Sequence, residues 1–187
     1  MTRMLIIGPP GAGKGTQAVR IAERLSIPAI STGDIFRENI REDTELGREA
    51  RSYTDAGNLV PDSVTNRMVR DRLSHADTSN GFLLDGYPRT TAQAEELDAI
   101  LGEAGTHLDV VLQLTADRDE LVARLINRAQ EQGRADDTED VIRHRLDVYD
   151  RETAPVVELY AARGIVQGVD GIGPIDEVTE RIVSALA

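Results

Sequence analysis

Short apolar runs alternate with helical patterns along this chain. The first run, from Met4 to Ile7, is too brief for a helix and ends at Gly8, so it predicts a buried strand followed by a loop. From Lys14 to Leu25 the apolar residues recur at the spacing of one helix face. Further strand-like runs follow at 28–31, 81–85, 109–114 and 165–169. This alternation predicts an α/β fold, a mostly parallel five-stranded sheet with helices on both faces.

A long stretch without any strand pattern interrupts the alternation. Residues 32–75 predict about three short helices, and Gly33, Gly47, Gly57 and Pro61 punctuate the stretch. A crossover between parallel strands needs only one helix. Residues 32–61 are therefore predicted to project from the sheet as an insert.

A second irregular stretch, NRAQEQGRADD at 127–137, lies between two predicted helices. At 187 residues the chain fits one domain with one core. The expected division of that domain is a core of segments 1–31, 62–126 and 138–187, the insert 32–61, and the short loop 127–137.

Composition narrows the range of functions. A net charge of −12 and a pI near 4.7 would repel nucleic acid and anionic membranes, so neither is an expected partner. The chain has no Cys, which excludes disulfides and thiolate metal sites. It has no apolar run of the ~18 residues that a membrane helix needs, and no signal-peptide pattern. We therefore expect a soluble, cytoplasmic protein with an aliphatic core.

The loop after the first run carries the strongest chemical signal. Gly8, Gly13 and Lys14 fit the pattern G-x-x-x-x-G-K of a phosphate-binding loop, between a predicted strand and a predicted helix. Such glycines let backbone N–H groups turn toward phosphate oxygens, and the helix start adds its positive dipole end. A plain glycine turn with a solvated lysine is the alternative. It is disfavoured because Lys14 is the only lysine among 21 basic residues. The motif therefore predicts that the α/β fold is the three-layer fold of P-loop NTPases.

One position departs from the general motif. Gly15 follows the lysine, and Thr16 comes after it, where Ser or Thr usually follows directly. Whether the Thr16 hydroxyl contacts a metal therefore stays open.

Polar residues also stand where predicted strands end. Asp85 closes the run GFLLD, where it would face the phosphate loop and hold waters of a Mg²⁺ ion; a turn aspartate before Gly86 is the alternative. In STGD, Thr32 offers a hydroxyl to a ligand and is also a candidate helix N-cap.

Helical spacing sorts some of the arginines. Arg124 and Arg128 share one face, which is either a solvated surface or a phosphate clamp. Arg143 and Arg145 flank an apolar stripe on opposite sides, so one of the two points inward, and periodicity does not choose between them. The three histidines, His75, His107 and His144, show no metal-site or relay spacing and are expected to be ordinary surface or partly buried residues.

Several motifs together identify a family. GPPGAGKGTQ is followed in order by STGD, GNLVP, DGYPRT with Gln93, GRADD, RHRLDVYDRETAP and VDGIG. This series resembles the adenylate kinases, whose own loop has a glycine between lysine and threonine, and it covers nearly the whole chain. The chain is similar to the short form, in which residues 127–137 stand where a longer lid is inserted.

The resemblance implies a set of site residues. The expected catalytic cations are Lys14, Arg89, Arg124, Arg128, Arg134 and Arg145, with Arg145 rather than Arg143 turned inward. The expected ATP contacts are Gly11, Ala12, Gly13, Lys14, Gly15, Thr16, Arg128 and Gly173. The expected AMP contacts are Thr32, Arg37, Asn58, Leu59, Val60, Gly86, Tyr87, Pro88, Arg89, Gln93, Arg134 and Arg145. The backbone of 58–60 and the Gln93 amide would address adenine, and Arg37 and Arg89 its phosphate.

The implied reaction transfers the terminal phosphoryl group of Mg·ATP to AMP and gives two ADP. The acceptor phosphate has a second pKa of about 6 and is already mostly dianionic, so no general base is needed. A pyrimidine monophosphate kinase (UMP/CMP kinase) shares the scaffold, but the amide of Gln93 favours a purine edge. A nucleotide-dependent switch is the rival from another class, and the chain has no N-K-x-D guanine motif. The partners expected are ATP, AMP and ADP, with Mg²⁺, and the protein is expected to be a monomer.

Overall fold

The computed structural model describes residues 2–132 and 138–187, with the side chain of residue 132 left out. Within these ranges it has five strands and nine α-helices. The strands are β1 (Thr2–Ile7), β2 (Ala29–Ser31), β3 (Gly81–Asp85), β4 (Val110–Thr115) and β5 (Val166–Asp170). The helices are α1 (Lys14–Leu25), α2 (Thr32–Arg41), α3 (Glu45–Asp55), α4 (Asp62–Leu73), α5 (Thr91–Glu103), α6 (Arg118–Gln132), α7 (Glu139–Val148), α8 (Ala154–Ala161) and α9 (Ile175–Leu186). A 3-10 turn at Ala76–Thr78 precedes β3, and a π-helical turn at Tyr149–Thr153 joins α7 to α8.

The sheet confirms the predicted α/β fold class. Its strand order is β2-β3-β1-β4-β5, and each pair of neighbours is parallel. In register, Leu5 of β1 lies beside Leu84 of β3 and Val111 of β4. Because all strands point the same way, their carboxyl ends and the loops that follow lie at one edge.

The core consists of two layers, one on each face of the sheet. Met4 and Ile6 pack against α1, α6, α7 and α9 on one face. Leu5 and Ile7 pack against α4, α5 and α8 on the other. Successive strand residues point to opposite faces, so a strand buried on both sides is apolar throughout, as this run is.

The long stretch before β3 forms α2, α3 and α4, in agreement with the predicted three short helices. A separate small apolar cluster holds these helices together, built from Phe36, Ala50, Val60 and Val64. In the described part of the chain, no helix is long and apolar enough to cross a membrane.

Two predictions of local structure are wrong. Gly33 and Gly47 do not separate helices, since they lie inside α2 and α3. Residues 127–132 are not irregular, because α6 continues to Gln132. The sequence there has no glycine or proline before Gly133, and Ala129, Gln130 and Glu131 favour a helix. Residues 133–137 lie outside the described residues.

Gly47 has a packing role. A Cβ added to it would lie 2.0 Å from the carbonyl oxygen of Asn39, at the end of α2. The chain therefore needs glycine here because two backbones approach closely.

We expect Gly47→Ala to lower the free energy of unfolding by about 2 kcal/mol or more, since the clash is with backbone that cannot rotate away. Gly102→Ala is the matched control, because a Cβ on Gly102 meets no atom within 4 Å. That control should raise stability by about 0.5–1 kcal/mol, as glycine weakens a helix. Urea unfolding of both variants measures this, and equal effects would contradict the packing role.

Candidate active site

A large cleft opens at the carboxyl edge of the sheet, as expected for parallel α/β folds. Its volume is about 680 Å³. The loop after β1, the first turns of α1 and α2, and the loop after β3 form its floor, and side chains of α6 and α7 line it as well. The cleft thus lies where the glycine loop was predicted to bind phosphate.

The glycine loop has the geometry of an anion site. Gly11 and Gly13 adopt φ values of 85° and 90°, which other residues rarely adopt. Lys14 begins α1 and donates from Nζ to the carbonyl oxygen of Pro9 at 3.0 Å, which folds the ammonium back over the loop. Among the described residues no side chain caps this helix end, so its first N–H groups are available to a ligand.

The charges on the floor of the cleft perturb one another. Burial lowers the pKa of Lys14 to about 8; Asp85 opposes this shift, and Arg89 and Arg128 add to it. Burial likewise raises the pKa of Asp85, against the attraction of Lys14 and Arg89. The pKa of Arg89 is lowered by burial too, and Arg145 and Arg37 add to the effect. Lys14 and Arg89 have lost part of the water around their charges, and a bound phosphate would replace it.

Asp85 lies at the end of β3, with 8% of its surface exposed. Its Oδ2 atom is 3.6 Å from where a Cβ of Gly15 would be. The carboxylate therefore faces the glycine loop, on the side predicted for a metal ligand rather than that of a turn residue.

Thr32 is not the N-cap of α2, contrary to one part of the prediction. Ser31 caps the helix, and its hydroxyl accepts from the N–H of Asp34 at 3.2 Å. Thr32 is buried instead and donates its hydroxyl to the carbonyl oxygen of Gly86 at 2.9 Å. Its hydroxyl is thus committed to joining the ends of β2 and β3.

Three hydrogen bonds fix the position of Arg89. Its Nε donates to the carbonyl of Gly86 at 2.8 Å, and its own backbone N–H donates to Oε1 of Gln93 at 2.7 Å. Its carbonyl accepts from the Thr153 hydroxyl at 2.8 Å. Sequence reasoning missed Thr153, and a buried threonine in the π-helical turn has no periodic signal that would have found it.

The remaining arginines reach the cleft from two directions. Arg37 folds over Gly33 in α2 and pairs with Asp34. From α6, Arg124 donates to the carbonyl of Gly171 at 3.1 Å, which ties the helix to the loop after β5. Arg128 of the same helix lines the cleft as well.

Helix α7 separates its two candidate arginines. Arg145 lines the cleft and donates to the carbonyl of Thr54 at 3.2 Å. Arg143 points away and pairs with Glu139 at 2.8 Å. Next to them, Nε2 of His144 lies 2.7 Å from Oδ1 of Asn58, a contact that the sequence did not suggest.

The structure brings most of the predicted site residues to this one cleft. Those on its wall are Gly11, Gly13, Lys14, Gly15, Thr16, Thr32, Arg37, Asn58, Leu59, Val60, Asp85, Gly86, Tyr87, Pro88, Arg89, Gln93, Arg124, Arg128 and Arg145. Ala12 is buried beneath the loop, and Gly173 lies in an exposed turn away from the wall. Arg134 lies outside the described residues.

The acidic groups fit one kind of metal ion. In the described ranges there is no cluster of three or more His, Cys, Asp or Glu side chains that could enclose a metal. Mg²⁺ needs no such cluster, because it is commonly held by one or two carboxylates, water and substrate phosphates. Asp85, beside a phosphate-type loop, fits that mode of binding.

Comparison with known proteins places these features in one family. The family model described as adenylate kinase matches residues 6–165. An adenylate kinase of Kocuria rhizophila is 78% identical over the whole of this chain and 99% of its own length. Those of Pseudarthrobacter chlorophenolicus and Renibacterium salmoninarum are 67% and 64% identical over the whole chain and 97% and 96% of their own lengths.

Proposed function

Because this chain belongs to the adenylate kinase family and transfers a phosphoryl group from ATP to AMP, we propose that its cleft holds the two nucleotides on opposite sides of Lys14 and Arg89. The named relatives do not favour the UMP/CMP kinase alternative. The observation that carries the proposal is the convergence of two desolvated cations and an uncapped helix start in one cleft. Such a floor is built for phosphate groups that replace lost water.

ATP would occupy the side of the glycine loop. The N–H groups from Gly11 to Thr16 would surround its phosphates, and Lys14 would contact the group in transfer. Arg124 and Arg128 line the cleft from α6, which packs beside Gly11 through the side chain of Leu125. Gly173 stays a predicted ATP contact, and the bond from Arg124 to Gly171 brings its loop toward the cleft.

AMP would occupy the side of α2. Arg37 and Arg89 would bind its phosphate, and the backbone of Asn58 to Val60 would lie against the base. Gln93 lines the same part of the wall and is buried. Thr32 would act there mainly by fixing the Gly86 carbonyl.

Mg²⁺ would be held by Asp85 and by ATP phosphates, and when bound it would neutralise charge on the transferring group. The chain's own part in the reaction is positioning and charge stabilisation. No base is required, because the AMP phosphate is already mostly dianionic at neutral pH, with a second pKa of about 6. Lys14, Arg89 and Arg145 would compensate the repulsion between the two sets of phosphates.

Exclusion of water is the remaining requirement, since water could accept the phosphoryl group instead of AMP. The proposed division assigns 32–61 as an AMP-binding insert and 127–137 as a short lid, which would close over their nucleotides. Phe36, Ala50 and Val60 of the insert share their apolar cluster with Val64 of α4, so closure of the insert would carry the start of α4 with it. Arg134 would enter with the lid. A cytoplasmic monomer agrees with the acidic surface and the absence of cysteine.

The reaction is tested by ADP formation from Mg·ATP with AMP, CMP, UMP or water in separate tubes. We expect rapid turnover with AMP alone, and a loss of at least ~100-fold in kcat for Lys14→Ala, because a phosphate-contacting cation is removed. Arg20→Ala on the outer face of α1, where Arg20 pairs with Asp176, is the control and should stay within about twofold. ADP appearing only by slow hydrolysis would contradict phosphoryl transfer to AMP.

The two sides of the cleft are tested by a matched pair of variants, Arg37→Ala and Arg124→Ala. Losing a bond to a charged phosphate costs about 1.5–3 kcal/mol, or roughly 10–100-fold in affinity. We expect Arg37→Ala to raise KM for AMP by that factor and leave KM for ATP within about twofold. Arg124→Ala should do the reverse. If both variants changed the two KM values equally, the assignment of sides would be wrong.

A further inference from the structure

Gln93 is held by two partners of opposite hydrogen-bonding type. Its Nε2 donates to Oδ1 of Asp62 at 2.8 Å, and its Oε1 accepts from the backbone N–H of Arg89 at 2.7 Å. A carboxylate only accepts, and a backbone N–H only donates. The two ends of the amide, which are nearly identical in shape, are therefore distinguished by their neighbours.

Asp62 itself is fixed by a second contact. It occupies the first turn of α4, and the Thr90 hydroxyl lies 3.3 Å from both of its carboxylate oxygens. The same hydroxyl accepts from the N–H of Gln93 and so caps α5. Asp62, Thr90 and Gln93 form one network that joins the starts of two helices at the wall of the cleft.

We propose that Asp62 is a positioning residue for base selectivity, because its carboxylate fixes the orientation in which the Gln93 amide presents its donor and its acceptor to the base. The proposal rests on AMP binding beside Gln93, as proposed above. With Nε2 and Oε1 fixed, the amide has one N–H donor and one oxygen lone pair left for a ligand.

This remaining pair discriminates between purines. Adenine presents an acceptor at N1 and a donor at its 6-amino group, which complement a donor and an acceptor. Hypoxanthine presents the reverse, with a hydrogen on N1 and an oxygen at C6. To bind it equally well, the amide would have to rotate by 180°.

Asp62 opposes that rotation directly. A rotated Gln93 would place its carbonyl oxygen against the Asp62 carboxylate and its NH₂ group against the Arg89 N–H. Two bonds would become two repulsions, one of them to a charged group. The network therefore rejects the wrong base through a repulsive contact as well as selecting the right one.

The test compares kcat/KM for AMP with that for IMP, in which hypoxanthine replaces adenine and all else is unchanged. In Asp62→Ala the AMP-to-IMP ratio should fall about tenfold, since one of the two bonds that fix the amide is lost. KM for ATP should stay within about twofold. Asp62→Asn should lower the ratio as well, because its amide can offer Gln93 either an acceptor or a donor, whereas the carboxylate only accepts.

Controls separate this role from folding and from the proposed function. Asp176→Ala removes an acidic residue from the first turn of α9, as Asp62→Ala does from α4, and should leave the ratio unchanged. If Asp62→Ala does not fold, Asp62→Ser replaces it, because a hydroxyl both donates and accepts and fixes neither orientation. Parallel losses with AMP and IMP, at a constant ratio, would overturn the proposal. Failure of the unmodified protein to phosphorylate AMP would overturn the proposed function instead.

Discussion

The site depends on holding positive charge in a partly buried cleft, where the cations are less well solvated than at the surface. Lys14, Arg89 and Asp85 meet at the carboxyl ends of β1 and β3, and burial disfavours the charged form of each. A single carboxylate is too little to compensate two cations, and such imperfectly paired charges are costly. Burial of the two apolar layers that pack on the sheet beneath the site offsets this unfavourable free energy. Phosphate groups would balance these charges.

Hydrogen bonds around the site hold these charged side chains in position. Thr32 and Arg89 both donate to the carbonyl of Gly86, Thr32 from the start of α2 and Arg89 from the loop after β3. Thr153 and Gln93 fix the backbone of Arg89 on either side. Flexible cationic side chains would pair with Asp85 or turn toward solvent. These hydrogen bonds restrict them to the conformation in which they can bind a ligand. Long-range attraction by the whole molecule is not available, because the chain carries a net charge of −12.

Much of this structure was predictable from local pattern. The apolar runs and the period of α1 gave strands and a helix within a residue or two, and the glycine loop predicted the place of the cleft. The remaining features depend on contacts between distant parts of the chain. Ser31 rather than Thr32 caps α2 because the Thr32 hydroxyl meets a carbonyl 54 residues away. Periodicity left Arg143 and Arg145 equivalent and the family resemblance favoured Arg145; in the structure Arg145 donates to Thr54, whereas Arg143 pairs with Glu139. The sequence did not indicate a role for Asp62, because that role depends on its hydrogen bond with Gln93 on another helix.

Because Lys14 is the only lysine, labelling with ¹³C-lysine gives one NMR signal, which reports whether its ammonium is partly desolvated before phosphate binds. Titration of that signal measures the pKa of the ammonium directly. We predict a pKa of about 8 in the nucleotide-free protein, below the ordinary 10.5. Bound ATP should raise the pKa well above 8, because nearby negative charge favours the ammonium. A pKa near 10.5 without nucleotide, unchanged when ATP binds, would show a solvated lysine and contradict the account.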